Sequence, residues 1–431
     1  MKKIFKKIIV IILTWEAKMV LKKYKPKIVA VTGSVGKTTA KDAIYTVLSS
    51  HFFVRKSEKS FNSEIGVPLT VLGCENAWNN PFLWIKNIFN GLGVILLKNH
   101  YPMWLILEVG ADAPGDIERI AKWLKPDLVV LTRFAKIPVH VEFFKSPQDL
   151  IDEKKKLVKY MKKEGILVYN GDDEDMLSVR SPEGVQKISF GYNQGSNILG
   201  MNDQLLYDGK GNPIGITFKV EYAGVSTPIK LGGVLGQQHV FASLAAIAVG
   251  ASQNLNIVEI SQALAENYKT QPGRMRLIEG IKNTILIDDS YNASPIAVQK
   301  AIETIGNLKV LGRKIVALGD MLELGKYSAE EHKKVGEMVA QNCDVLIAVG
   351  LRAQQIVEGA MAKDMNEKNI ISFEQSKEAG LFLQNEIKEG DVILIKGSQS
   401  IRMEKITEEI MAHPENKKEL LVRQELEWLL R

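Results

Sequence analysis

Short apolar runs alternate with amphipathic stretches along most of the chain. Residues 27–33 (KIVAVTG), 103–110, 127–132 and 165–170 are apolar runs of strand length, and the segments between most of them have helical spacing. Strands that are apolar along their whole length are typical of a parallel sheet covered by helices on both faces. The pattern therefore predicts an α/β domain in the first part of the chain.

The pattern changes between about residue 186 and residue 235. Here the chain is polar, glycine-rich and alternating, which predicts a small antiparallel sheet. Helices are expected near residues 239–250 and 256–267. A second series of apolar runs begins after GRMR (273–276) and extends to DVILIKGS, and the tail after His413 is charged and helical.

These changes divide the chain into three predicted regions. At 431 residues the chain is too long for one ordinary domain. We predict an N-terminal helix over residues 1–24 and a central domain over residues 25–270, which combines a parallel sheet with the small antiparallel sheet. A C-terminal Rossmann-like α/β domain is expected over residues 271–431.

The N-terminal segment, MKKIFKKIIVIILTWEAKMVLKKYK, is basic and amphipathic. Its apolar run from Ile8 to Trp15 is shorter than the roughly 20 residues that span a bilayer, and no small-residue cleavage site follows it. Two interpretations stay open: a helix packed on the next domain, or a helix lying on a membrane surface. Residues 78–104 are aromatic, apolar and basic, and are either a second membrane candidate or a buried cover.

Composition narrows the class of partner. The formal net charge is +6, and much of the excess lies at the two ends, which favours anionic substrates or a membrane surface over nucleic acid. Two cysteines, Cys74 and Cys343, cannot form a metal cluster, and their number fits a reducing cytoplasm.

The stretch GSVGKTT directly follows the first predicted strand. Its glycines let the backbone fold around phosphate oxygens, and the next helix adds its positive N-terminal end. The usual spacing has one more glycine, where this chain has Val31. We predict a nucleotide-binding loop in which Lys37 reaches the β- and γ-phosphates and Thr38 binds Mg²⁺. The predicted loop residues are Gly33, Ser34, Val35, Gly36, Lys37, Thr38 and Thr39.

A series of motifs in one order resembles the Mur ligase family, and within it the MurF type. The motifs are TGSVGKTT, FNSEIGVPLT, LEVGADAPGDI, GRMR, DDSYNASP, LGDMLELG and IKGSQSIRME. The resemblance implies an ADP-forming, ATP-dependent acid–amino-acid ligase of peptidoglycan synthesis. In that family ATP phosphorylates a carboxylate, and an amine such as that of D-Ala-D-Ala attacks the acyl phosphate. ATP and Mg²⁺, of which two ions are expected, are the implied cofactors.

The resemblance also implies roles for individual residues of the central domain. Glu108 would hold Mg²⁺, and His140 would lie near a second ion, although Arg133 stands where the family commonly has asparagine. Asn62 would contact the substrate. Lys154 in EKKKL would be a carbamylated lysine, but the register among residues 154–156 stays open.

The second half of the chain supplies the remaining implied residues. His239, in GQQHVFASLAA, stands where the family has asparagine and is expected near the base, although this motif departs from the family pattern. Arg274 would reach the γ-phosphate when the domains close. Nucleoside contacts are expected from Asp289, Tyr291 and Asn292. An acceptor pocket is expected from Asp320, Lys396, Ser398 and Arg402.

The N-terminal region departs most from the family. Only about 26 residues precede the first strand, where the family has a UDP-binding domain. The carboxylate donor is therefore open: a muramoyl peptide, a lipid-linked precursor, or another acid in a ligase similar to folylpolyglutamate synthase. A binding protein that kept the fold is the non-enzymatic alternative. We expect a cytoplasmic protein with peripheral membrane contact as an option.

Overall fold

A computed structural model describes residues 2–58 and 61–429, and within these ranges the side chains of all residues except 2–5, 177, 426 and 429. Met1, Leu430 and Arg431, at the ends of the predicted N-terminal and C-terminal regions, lie outside the described residues. The strands of the described part form two sheets, of 9 and 6 strands. The predicted α/β fold with two sheet-containing regions is confirmed.

The first sheet is parallel over most of its width. Its strands are β1 (Lys27–Thr32), β2 (Val54–Lys56), β3 (Trp104–Glu108), β4 (Leu128–Leu131), β5 (Ile166–Asn170), β6 (Gln186–Gly191), β7 (Ile198–Tyr207), β8 (Pro213–Tyr222) and β9 (Val225–Gly232). They are ordered β2-β3-β1-β4-β5-β6-β7-β8-β9. Every residue of β3 and β4 is buried, because helices cover both faces of the parallel part.

The antiparallel strands differ from the prediction in one respect. They do not form a small sheet of their own: β7, β8 and β9 continue the first sheet, and β6 pairs in parallel with β5 and with β7. Local alternation of polar and apolar residues indicates only that one face of a strand meets solvent. The direction of pairing depends on which sheet edge the chain reaches, and that is not encoded locally.

Helices cover the first sheet and bring the N-terminal segment against it. They are α1 (Lys2–Tyr24), α2 (Lys37–Ser49), α3 (Gly66–Leu72), α4 (Pro81–Leu96), α5 (Asp116–Leu124), α6 (Pro147–Lys159), α7 (Gln237–Ala251) and α8 (Ile257–Asn267). Helix α7 is apolar nearly all round because it is buried between α2 and strands β5, β6 and β7. No helix in the described part of the chain is long and apolar enough to cross a membrane.

The second sheet has its own helices. Its strands are β10 (Arg276–Gly280), β11 (Thr284–Asp289), β12 (Lys314–Gly319), β13 (Val345–Val349), β14 (Ile370–Phe373) and β15 (Val392–Lys396), in the order β10-β11-β15-β12-β13-β14. Only the β10–β11 pair of this sheet is antiparallel. The accompanying helices are α9 (Pro295–Gly306), α10 (Ser328–Asn342), α11 (Gln354–Met361), α12 (Ser376–Glu386), α13 (Glu404–Ile410), α14 (Lys417–Leu420) and α15 (Leu426–Leu429).

Polar residues at the carboxyl ends of strands from both sheets meet at one cavity. Strand β3 ends at Glu108, β11 at Asp289 and β15 at Lys396, and all three residues line this cavity of about 950 Å³. The volume is within the range of small-molecule and cofactor sites. The carboxyl edge of a parallel sheet is where open α/β folds bind their ligands.

Candidate active site

The loop after β1 has the backbone that tight phosphate binding requires. Gly36 has a φ of 83°, in the left-handed region, and it is the N-cap residue of helix α2. Gly33 has a φ of 148°, and a Cβ atom there would lie 2.0 Å from Thr132 Oγ1. Both positions therefore need glycine. The first turn of α2 lines the cavity, and the N–H groups of a first turn have no partner within their helix.

Two other amides of this loop are already paired. Ser34 N and Val35 N donate to the carbonyl oxygen of Arg133, at 2.7 and 3.2 Å. These bonds hold the loop against the end of β4. In this structure the amides available to an anion are therefore those nearer α2.

Lys37 folds back onto the loop. Its Nζ donates to the Gly33 carbonyl oxygen at 3.0 Å. Burial lowers the pKa of the Lys37 ammonium, although the nearby Glu108 carboxylate works in the opposite direction. This bond would be exchanged for a phosphate oxygen, which is a better partner for an ammonium than a neutral carbonyl.

Thr38 connects side chains from two parts of the chain. We call the part built on the first sheet the first domain, and the part that follows it, built on the second sheet, the second domain. Its hydroxyl donates to Glu108 Oε2 at 2.8 Å, and Arg274 Nη2 donates to the same hydroxyl oxygen at 3.2 Å. Asn62 Nδ2 donates to the other carboxylate oxygen of Glu108, at 3.1 Å. Residues far apart in the sequence thus form one polar network beside the phosphate loop.

Lys154 is the member of the lysine run that reaches the phosphate loop. It lies on α6, is 4% exposed, and its Nζ donates to Ser34 Oγ at 3.0 Å. Lys155 instead donates to Ser178, and Lys156 to Glu153. Burial holds the pKa of Lys154 well below its usual range, and the charge of Lys37 lowers it further. The ammonium form of Lys154 is therefore less favourable here than at the protein surface.

Arg274 enters the site from the segment that precedes β10. Its guanidinium lies over the ring of Tyr291, with 4.1 Å from Cζ to the ring centroid. Its Nε is buried and has no hydrogen-bond partner among the described residues. A buried donor without a partner is costly, so this N–H group is suited to donate to an anionic oxygen of a ligand.

Asp289 and Lys396 form an ion pair at the second-domain side of the cavity. Lys396 Nζ lies 2.5 Å from Asp289 Oδ2 and also donates to the carbonyl oxygen of Asn292. The other oxygen of Asp289 accepts from the amide of Met275. A residue implied for the ribose and a residue implied for the acceptor amine are thus bonded to each other.

His140 lies where the two domains meet. Its Nδ1 is 2.7 Å from Glu323 Oε2, and its Nε2 is 3.6 Å from Asp112 Oδ1. The imidazole also lowers the pKa of Glu323. Among the described residues, no group of three or more His, Cys, Asp or Glu side chains is arranged as a metal site. Glu323 had not been predicted as a site residue.

Apart from Gly33 of the loop, four of the predicted residues do not line the cavity. His239 is fully buried: Nδ1 is 2.8 Å from the Tyr268 hydroxyl and Nε2 is 3.0 Å from the Arg274 carbonyl oxygen. Burial lowers the pKa of His239 to about 4. The expected contact of His239 with a base is thus not supported. The cavity side of α7 is instead formed by Gln237, Gln238, Phe241 and Ala242, because residues three and four apart share a helix face.

Asp320, Ser398 and Arg402 are the other three, and they hold the second domain together. The carboxylate of Asp320 accepts from the Ala353 amide at 2.8 Å, and Ser398 Oγ accepts from the Leu322 amide at 2.9 Å. Arg402 Nε lies 2.5 Å from Glu404. Buried backbone groups at strand ends need partners, and these side chains supply them. Of the four residues expected to form an acceptor pocket, Lys396 is therefore the one that lines the cavity.

The other predicted residues line the cavity, except Gly33, whose backbone shapes the loop beside it. Those lining it are Ser34, Val35, Gly36, Lys37, Thr38, Thr39, Asn62, Glu108, His140, Lys154, Arg274, Asp289, Tyr291, Asn292 and Lys396.

The C-terminal tail lines the cavity and had not been predicted to do so. Arg423 is 5% exposed; its Nη1 lies 2.7 Å from Glu404 Oε2, and its Nη2 donates to the Tyr291 carbonyl oxygen. The Trp428 ring packs edge-on against Trp78 of the first domain, with 6.3 Å between centroids. Sequence reasoning missed these residues because no motif links an arginine and a tryptophan in a charged tail to a site far upstream.

The fold and the cavity define a class: α/β proteins in which a phosphate loop on one sheet faces a second α/β domain. The chain belongs to the Mur ligase family, since residues 92–250 match the Mur ligase middle domain and residues 273–399 match the glutamate ligase domain of the Mur ligases.

Two curated bacterial proteins and one solved structure are among the proteins that this chain is similar to. The UDP-N-acetylmuramoyl-tripeptide–D-alanyl-D-alanine ligase of Bacillus subtilis is 28% identical over 399 residues, which are 92% of this chain and 79% of that protein. The ligase of the same name from Escherichia coli is 27% identical over 388 residues, 88% of this chain and 76% of that protein. The crystal structure of the MurF ligase from Thermotoga maritima in complex with ADP is 27% identical and has a TM-score of 0.75. The aligned region covers 93% of this chain and 83% of the Thermotoga maritima chain.

Proposed function

We propose that the protein is an ATP-dependent, ADP-forming ligase that joins a carboxylate to an amine through an acyl phosphate. The observation that best supports this is the network at Thr38, where Glu108 of the first domain and Arg274 from the start of the second meet beside the phosphate loop. A simple nucleotide hydrolase needs no second domain that brings its own cation. The names of the relatives are those of ligases.

The chemistry has two steps. A carboxylate oxygen of the acid attacks the γ-phosphorus of ATP and ADP leaves; Lys37 and Arg274 offset the negative charge that builds up. The amine nitrogen then attacks the acyl carbon. The tetrahedral intermediate expels inorganic phosphate and the nitrogen loses a proton, which leaves an amide. Enclosure between the domains keeps water from the acyl phosphate.

The residues at the phosphate loop fit Mg²⁺. Thr38 and Glu108 offer a hydroxyl and a carboxylate, which are oxygen ligands of the kind that Mg²⁺ prefers, and it commonly binds through one or two such groups together with phosphates. When bound, the ion would neutralise charge on the β- and γ-phosphates. A second ion near His140 is part of the proposal, and Asp112 and Glu323 are the carboxylates close to that imidazole.

We propose that Lys154 carries a carbamate. Burial makes Lys154 easier to deprotonate, and its neutral amine would attack CO₂ and lose a proton, which gives an N-carboxylate beside Ser34. Protonated Lys154 would repel Lys37, whereas the carbamate carries a negative charge. The repulsion between the side chains of Lys154 and Lys37 would become attraction. The carbamate oxygens could also help to hold Mg²⁺.

For the substrates we propose a muramoyl-peptide carboxylate and D-Ala-D-Ala, as in the names of the relatives. A lipid-linked form of the acid belongs to the same proposal, with the enzyme in the cytoplasm and in peripheral contact with the membrane. Another acid and amine, as in a folylpolyglutamate synthase-like enzyme, is the alternative.

The test is a screen of purified protein with ATP, Mg²⁺ and pairs of acid and amine. The acids are UDP-muramoyl tripeptide, its lipid-linked form and folates; the amines are D-Ala-D-Ala and single amino acids. The expected result is ADP release that needs both partners, with a product mass equal to acid plus amine minus water. ADP release without any amide product would contradict the ligase proposal.

A further inference from the structure

Helices α1 and α4 are held side by side. The carboxylate of Glu16 packs directly on Gly91, where a Cβ atom would lie 2.3 Å from Glu16 Oε2. About two turns further along α1, Lys23 Nζ donates to the carbonyl oxygens of Val94 and Ile95, at 3.0 and 2.9 Å. The two helices are therefore joined at two levels and form one surface.

The outer side of this helix pair is apolar. On α1 the exposed apolar residues are Ile8, Ile11, Trp15 and Met19, and on α4 they are Phe82, Leu83, Ile85, Phe89 and Leu96. Apart from Leu83, their spacing of three, four or seven residues places them in one stripe on each helix. Ile11 and Phe89 are each 68% exposed. An exposed apolar surface of this extent on a protein is typical of an interaction site.

The exposed charges carried by α1 and α4 themselves have one sign, while Glu64, outside both helices, lies 3.9 Å from Lys6 Nζ of α1. In residues 2–25 the single acidic residue is Glu16, which is fully buried, and residues 76–103 contain no aspartate or glutamate. Lys18 and Lys22 of α1 and Lys86 of α4 are exposed, as is Lys98 just beyond α4. The two helices thus present apolar side chains and ammonium groups, and the described part of neither helix adds an exposed carboxylate of its own.

We propose that the α1–α4 surface docks on the face of an anionic lipid bilayer. A bilayer surface offers apolar chains below a layer of negative headgroups, and this surface presents the matching chemistry. Lysine stems can follow the apolar side chains inward while their ammonium groups stay at headgroup depth. A protein partner that fits would need an equally extended anionic rim around an apolar centre, and a second copy of this surface would place lysines against lysines.

Partitioning of the full chain into vesicles tests this. We expect binding to vesicles of equal parts phosphatidylglycerol and phosphatidylcholine at low salt, little binding to phosphatidylcholine alone, and release by high salt. The double variant Ile11→Glu with Phe89→Glu should partition at least about tenfold less. Lys18→Glu with Lys22→Glu should lose the preference for anionic lipid. All four side chains are exposed, so melting temperature and nucleotide binding should stay unchanged.

The matched control is Leu311→Glu with Leu351→Glu. Both leucines are exposed in the second domain, outside the α1–α4 surface, so the variant should bind vesicles as the unmodified chain does. Intact protein that stays in the supernatant with anionic vesicles at low salt would overturn the proposal. So would equal losses in the control, or a dimer that the Ile11 and Phe89 changes abolish while no lipid is bound. These results are independent of ligase activity.

Discussion

The two sides of the cavity differ in how they are built. On the first-domain side, Lys37, Thr38 and Glu108 come from a strand-loop-helix unit and the neighbouring strand. Thr38 donates to Glu108, and Lys37 donates to the Gly33 carbonyl oxygen of the same loop. In the second domain, Asp320 and Ser398 also follow parallel strands, yet they bond to backbone groups of their own domain and do not line the cavity. A polar residue at the end of a parallel strand thus lines the ligand cavity in one domain, as Glu108 does, and stabilises the backbone in the other, as Asp320 does.

This difference shows how much of the geometry of a site a short sequence motif can specify. A phosphate loop specifies its geometry within a few residues, because glycine conformations and a helix N-terminus fix where the next side chains point. A polar residue after a strand has no such local frame. Its side chain turns to whichever unpaired group lies nearest, which can be a ligand or a buried amide.

The largest effect is expected at the phosphate loop. Lys37→Ala should reduce ligation and ATP turnover by about 10³-fold, because it removes a cation beside the transferred phosphoryl group. ADP release measures the effect, and an unchanged melting temperature shows that the fold is intact. Turnover close to that of the unmodified protein in a folded variant would place the chemistry elsewhere in the cavity.

Lys154 gives the next largest effect. Lys154→Ala should reduce turnover by about 10²-fold, and acetate or formate should restore part of it, since a small carboxylate can occupy the place of the carbamate. Higher bicarbonate should raise the activity of the unmodified enzyme. Lys155→Ala is the matched control and should keep its activity, because Lys155 faces Ser178. Similar losses in both variants, with no rescue, would argue against a carbamate.

Arg274 tests whether the second-domain side acts in the chemistry. Arg274→Ala should lower kcat by about tenfold or more, as loss of a charge-stabilising group that acts in the transition state. Small-angle scattering with ATP and the acid should show a smaller radius of gyration for the unmodified chain than for this variant. Identical radii with and without ligands, for both proteins, would exclude closure as the role of this residue.

His239 should have the smallest kinetic effect. His239→Gln should change the KM for ATP less than about twofold, since the side chain is buried away from the cavity. Its effect should be on stability. The native pKa of about 4 lies below the unfolded value of 6.5, so the unfolded state binds the proton first and stability falls as pH drops from 6.5 towards 4.

The protonation of His239 in the unfolded state should lower the free energy of unfolding by about 2 kcal/mol at pH 5. Melting temperatures between pH 7 and pH 4.5 should therefore decline less steeply in His239→Gln than in the unmodified protein. A several-fold rise in the KM for ATP with an unchanged pH dependence would return His239 to the nucleotide site.

The sequence by itself determined the α/β class, the phosphate loop and the motif order that marks the family, because these depend on periodicity and on conformations set within a few residues. Glu108 could be placed near Thr38 in advance, since parallel strands β1 and β3 end at the same sheet edge.

Only the tertiary structure decided which lysine of residues 154–156 reaches Ser34, that His239 turns inward, and that Arg423 and Trp428 complete the cavity. Each of these depends on a partner more than a hundred residues away or on which face of a helix is covered. Packing between distant segments determines these contacts. A local stretch of sequence shows one of the two partners and does not show which residue it will meet.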